Sequence, residues 1–143
     1  MNPPVYEIEI RGLTEQVMKL RGFDVIAGRR FMVASEQSVK LLERNWKRVA
    51  PVDTGQYRAS ISGRVKSITG ANVVAVVGTN VRSERGFPYP AALEESTRYH
   101  YRRGPRKGQL TWLRVRRVLE QAKGTIKRRF NKAVKLIVKD LEI

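Results

Sequence analysis

Four groups of residues in this sequence are of types and spacings that could do chemistry. The first is Val52-Asp53-Thr54-Gly55. Asp-Thr-Gly is the form of the aspartic-protease loop, in which two such carboxylates share one proton. That loop lies between core strands, whereas this triplet follows Pro51, and Gln56-Tyr57-Arg58 sets bulk and a cation beside the carboxylate. Val76-Val77-Gly78 has the apolar-apolar-Gly form that should follow a flap, but too few residues separate it from Asp53 to make one. The simpler reading is a structural turn after Pro51. In it Asp53 or Thr54 accepts from backbone N–H groups and Gly55 supplies the conformation. Short motifs match by chance often enough that the turn is preferred.

The second is His100, between Tyr99 and Tyr101. It is the single histidine of a chain without cysteine, which cannot assemble a transition-metal site of ordinary composition. A Ser-His-Asp set with Ser60 or Ser96 lacks the nucleophile-elbow signature. His100 reads as an exposed loop residue. No catalytic residue, cofactor or metal is expected.

The third is the run from Arg98 to Gly108. Arg98, Arg102, Arg103, Arg106 and Lys107 are suited to phosphate, and Tyr99 and Tyr101 to stacking on bases. The interspersed Gly and Pro suggest a mobile arm making sequence-independent contacts. A solvated loop, or one that folds on an acidic neighbouring subunit, fits equally well. The fourth group is a basic segment near the C-terminus, with Arg114, Arg117 and Arg128 among its cations. It contains like-charge neighbours such as Arg128–Lys132 and Lys135–Lys139, which weaken a helix in water and point to a binding role.

Charge is distributed very unevenly over the chain. Residues 98–143 hold 15 of the 29 Lys and Arg and three acids, a net of +12, whereas residues 1–97 carry a net of +4. Such a field predicts an acidic partner, nucleic acid or protein, and points away from a small-molecule substrate. The chain starts MNPPVYEIEI, with no basic-then-apolar signal pattern, and has no run of 18 apolar residues, so a protein that spans no membrane and is made and used on the cytoplasmic side, or within something assembled there, is expected.

These groups need elements to position them. The 143 residues read as one α+β domain, a small mostly antiparallel sheet packed against two long helices. Val5–Ile10 alternates as a strand that Gly12 ends, and Thr14 can cap a short turn carrying Val17 and Leu20. Asp24 is the expected N-cap of a helix reaching Val49, with Phe31, Ala34, Ser38, Leu42 and Trp46 on one stripe, and Pro51 stops it. Strands are expected over 58–68 and 73–79, joined by a turn at Thr69-Gly70-Ala71-Asn72. The second, apolar on both faces, is the central one. A long loop covers about 80–108, with a helical turn at Ala91–Ser96. A basic helix follows at about 110–141, with Val115, Leu119, Ala122, Ile126, Phe130, Ala133, Ile137 and Leu141 on its apolar stripe and Gly124 as a site for a kink.

In this order, the residues from about 24 to 97 resemble the tail-completion and neck family of long-tailed bacteriophages, the head–tail joining or minor tail proteins. The likeness rests on Ala50-Pro51-Val52-Asp53-Thr54-Gly55, Tyr57-Arg58-Ala59-Ser60-Ile61, Val76-Val77-Gly78-Thr79 and Tyr89 to Thr97. The family typically shows P-x-D-T-G-x-L-R-x-S-I, a V-G-T/S strand end and Y-A-x-x-x-E-x-G-T before a last helix. Here Tyr57 stands for the usual apolar residue, Pro90 and Ser96 for Ala and Gly, and a basic stretch replaces the Pro-Phe-Leu-type segment before the last helix.

The resemblance implies a structural virion protein at the head–tail junction, assembled in the bacterial host cytoplasm, with no catalysis. It implies a homo-oligomeric ring, hexamer or dodecamer, meeting head-closure or connector and tail proteins around the DNA channel. Under it Pro51, Asp53, Thr54 and Gly55 form the structural turn, and the basic third faces channel DNA or an acidic protein. The composition by itself also suits a free-standing, sequence-independent nucleic-acid-binding protein.

Overall fold

The computed structural model describes residues 6–12, 23–52, 55–69 and 72–141. The elements run β1 (Tyr6–Gly12), α1 (Phe23–Val49), α2 (Gln56–Ser60), β2 (Ser62–Thr69), β3 (Asn72–Thr79), α3 (Tyr89–Glu95) and α4 (Arg114–Leu141). The three strands form one antiparallel sheet in the order β1-β3-β2. The fold is α+β, and β3 is its central strand. Val73, Ala75, Val76 and Val77 are all buried, as a strand apolar on both faces requires.

By contact density the chain forms two compact units. One comprises 1–8, 42–62 and 77–121, the other 9–41, 63–76 and 122–143. In the second unit the core joins Ala27, Phe31 and Ala34 of α1, Val73 of β3, and Ala133 and Ile137 of α4, with Ile68 and Phe130 against it. The rings of Phe31 and Phe130 lie 6.0 Å apart, a distance at which aromatic pairs attract. Arg30 of α1 forks onto Asp140 of α4 at 2.8 and 2.9 Å, and Arg129 donates to the Gln37 carbonyl at 2.7 Å.

In the first unit Trp46 and Leu42 of α1 are fully buried, together with Ile61 and Val77. The expected α1 stripe is buried along its whole length, from Phe31 to Trp46, and α1 ends at Val49 before Pro51. The apolar stripe of α4 also packs inward. Val115, Ala122, Ile126, Ala133 and Ile137 are buried, and α4 continues through Gly124.

Several expectations are corrected. Asp24 is the second residue of α1, not the residue before it, a shift within the ordinary latitude of helix ends. Residues 58–60 are helical, not strand. Gly55 sits at φ 85°, the Ala59 N–H returns to the Gly55 carbonyl at 3.0 Å, and the Ser60 hydroxyl closes on the Tyr57 carbonyl. The last helix begins at Arg114, not near Leu110. Leu110 is instead paired with His100 in an antiparallel bridge, and Leu113 takes a left-handed φ of 56° that breaks helical geometry just before it. Within α1, Lys47 pairs with Glu43 one turn before it, at 3.2 Å. The expected turn at Thr14 to Leu20 and the tip of the β2–β3 connection lie outside the described residues.

Candidate functional site

The last turn of a helix leaves four carbonyls without intrahelical partners. At the end of α1 two of them are taken by residues far along the chain. The Tyr101 hydroxyl donates to the Val49 carbonyl, and Arg106 Nη1 donates to the Arg48 carbonyl at 3.2 Å. A cation at a helix C-terminus is also favoured by the helix dipole.

Tyr101 and Arg106 lie on a closed hairpin. Thr111 N donates to the Tyr99 carbonyl, Tyr101 N to the Gln109 carbonyl and Gly108 N to the Tyr101 carbonyl, at 3.1, 2.9 and 2.9 Å. The tip is held by Lys107 N to the Gly104 carbonyl and Gln109 N to the Arg106 carbonyl. The mobile arm expected over 98–108 is therefore a hydrogen-bonded hairpin docked on α1. A buried aromatic ring at its middle gives it a core of its own.

That ring corrects a second expectation. Tyr101 is 6% exposed, so it cannot stack on a base. Burial raises its hydroxyl above the usual tyrosine range, and the positive charges of Arg114 and Arg106 oppose that rise. Arg114 is likewise turned inward. Its guanidinium lies 5.7 Å over the Tyr101 ring, donates from Nε to the Leu110 carbonyl at 3.0 Å and from Nη2 to Gln109 Oε1 at 2.9 Å. Through these contacts it holds the hairpin.

The start of α4 is secured by Glu94 of α3. This carboxylate is 2% exposed and accepts from the backbone N–H groups of Val115 and Arg116, both at 2.9 Å. It fills the role of a capping side chain, supplied from another helix. Burial pushes its pKa above the ordinary carboxylate range, and the Arg116 and Val115 amides pull it back. Thr111 braces the same junction, its hydroxyl donating to the Leu93 carbonyl at 2.9 Å.

Hairpin and helix end together enclose a cleft of about 190 Å³. Arg48, Arg58, Arg103 and Arg106 line it, with Ala50, Pro51, Val52 and Pro105 as its apolar wall, and no carboxylate is among its described lining residues. Arg48, Arg58 and Arg103 are exposed, and their guanidiniums have no hydrogen-bond or ion-pair partner among the described residues.

Of the expected contact residues, Tyr101, Arg103 and Arg106 thus meet at the cleft. Arg102 and Lys107 are exposed on the hairpin, and Arg98 is exposed with its backbone N–H on Ser96 Oγ. Tyr99 is 38% exposed. Arg117 is exposed on α4. Arg128, in the other unit, is exposed and donates to Thr125 Oγ1 at 3.1 Å. Of the turn motif, Pro51 lines the cleft and Gly55 adopts its left-handed φ, while Asp53 and Thr54 lie outside the described residues.

Sequence reasoning missed Arg48, Arg58 and Glu94. The first two stand far from the basic run in the chain, although the spacing around Pro51 hints that a helix end and a turn bring them near each other. Glu94 carried a signal in the Tyr89–Thr97 segment but was assigned no role. Among the described residues no three of His, Cys, Asp and Glu converge to hold a metal ion. Among the described residues no helix is long and apolar enough to cross a membrane. No family model, curated protein or solved structure matches the chain.

Proposed function

We propose that this chain is a structural component of the head–tail junction of a long-tailed bacteriophage, a neck or tail-completion protein. It works as one subunit of a ring that meets connector and tail proteins around the DNA channel, without catalysis, and its place is the virion. The observation that carries this reading is the part played by the residues of the resemblance within one unit. Pro51 follows the end of α1, Gly55 starts the turn, Tyr57 receives the Trp46 indole, Tyr89 packs edge-on against Tyr57, and Glu94 caps α4. The motif thus reads as architecture. The basic hairpin is left facing outward, as an assembly surface requires.

Exposed Tyr99 and Trp112, each 38% accessible among cations, favour a second reading as a free-standing nucleic-acid-binding protein. The test is the solution mass by light scattering, at low and high salt, with and without duplex DNA. Discrete oligomers without DNA support the neck protein. A monomer that coats DNA and releases it in salt supports the second reading.

A further inference from the structure

We propose that the cleft at the end of α1 receives an acidic, partly aliphatic segment of a partner protein. Its carboxylates would meet the guanidiniums of Arg48, Arg58 and Arg103, and an aliphatic side chain would lie against Pro51 and Val52. This deepens the assembly reading, on which it rests, by naming the chemistry of the partner.

Four guanidiniums around one concavity with no carboxylate among its described lining residues make a positive site, and three of them have no partner among the described residues. Low-dielectric walls concentrate such a field. A guanidinium presents a planar fork that matches a carboxylate with two parallel hydrogen bonds. The fourth cation, Arg106, is anchored on the Arg48 carbonyl, which fixes one side of the site before anything binds.

Size and lining separate a carboxylate segment from nucleic acid. At about 190 Å³ the cleft holds one or two side chains and is smaller than the roughly 300–1,000 Å³ typical of small-molecule sites. A nucleic-acid strand is tracked by an open basic groove with stacking rings. Here the one aromatic lining residue, Tyr101, is buried, and the wall between the arginines is aliphatic, with Val52 41% exposed. An apolar wall gives a phosphate nothing to bind, but suits a Leu, Ile or Val next to a Glu or Asp.

Fluorescence anisotropy of the whole chain tests this with three labelled probes: a short peptide of alternating Glu and Leu, the same peptide with Gln for Glu, and an oligothymidylate. Two variants of equal charge change are compared, Arg58→Gln with Arg103→Gln in the cleft, and Arg102→Gln with Lys107→Gln on the hairpin outside it. The Glu–Leu peptide is expected to bind, to lose about tenfold or more in affinity in the cleft variant and much less in the other. The Gln–Leu peptide is expected not to bind. Equal loss in both variants, equal binding of the Gln peptide, or cleft-dependent binding of oligothymidylate in preference to the Glu peptide each overturns the proposal. If the cleft variant does not fold, backbone NMR shifts of the wild type titrated with the Glu–Leu peptide decide. Changes centred on Arg58 and Arg103 support the site, and changes elsewhere refute it. Oligomer mass is read separately, so failure of the cleft and failure of ring assembly are distinguishable.

Discussion

The indole Nε1–H of Trp46 donates to the hydroxyl of Tyr57 at 2.9 Å, and both side chains are buried. This accounts for a tyrosine where the resembled family usually has an apolar residue. A buried indole N–H requires an acceptor, and Leu offers none. Tyr57→Phe should cost about 1–2 kcal/mol, the usual penalty for removing one partner of a buried hydrogen bond. Tyr57→Leu should cost more, because it also removes the edge contact with the Tyr89 ring at 5.9 Å. Urea denaturation followed by tryptophan fluorescence measures both, and a Tyr57→Phe variant as stable as wild type would remove the explanation.

Glu94 holds two amides at the start of α4 with its two oxygens. Glu94→Gln keeps the shape but turns an NH₂ toward one of those donors, so it should destabilise by about 1–3 kcal/mol, and Glu94→Ala by at least as much. Thermal unfolding by circular dichroism is the readout. If Gln is tolerated without loss, Glu94 is not acting as the cap.

The hydrogen bond from Arg30, reinforced by the guanidinium charge, holds the Asp140 carboxyl below the ordinary carboxylate range. A depressed acid pKa contributes stability that is present above the unfolded value and is lost as pH falls through the folded value. Wild type should therefore exceed Asp140→Asn in urea midpoint at neutral pH, and the two curves should converge in acid. Both groups are exposed to solvent, so added salt should narrow the neutral-pH gap. A gap that persists at low pH contradicts the assignment.

On the hairpin, Arg102, Arg103 and Lys107 are exposed, whereas Arg106 and Tyr101 fasten it to α1. Neutralising the first three should leave the unfolding midpoint within about 2 °C of wild type while weakening binding to acidic partners. Tyr101→Phe should instead cost about 1 kcal/mol, since the Val49 carbonyl loses its donor. Comparing midpoints with binding separates the two sets, and a triple variant that unfolds would mean those cations are structural.

Gly55 stands at φ 85°, where a Cβ is disfavoured although the space around it is open. Gly55→Ala should cost about 1–2 kcal/mol through backbone strain alone. A neutral result in chemical denaturation would show that the turn can be entered in another conformation.

The long elements were legible because a helix repeats. Phe31, Ala34, Ser38, Leu42 and Trp46 recur every three or four residues and all are buried, and Val73–Val77 reads as central because neither of its faces is polar. Residues 58–60 were misread because three residues carry no period. What decides them is Gly55 and the need to bring Tyr57 to Trp46. The basic hairpin was legible as composition but not as structure, since nothing local distinguishes Tyr101, which is buried, from Tyr99, which is half exposed. The cleft was least legible, because Arg48 and Arg58 join Arg103 only through tertiary folding.

The two donors that close α1 lie 52 and 58 residues downstream of the carbonyls they cap. Contacts of such separation are entropically slow to form. The final turn of α1 is therefore expected to be completed late in folding, when the hairpin arrives. Protection of the amides in that turn should follow that of the Trp46 region in a pulse-labelling time course.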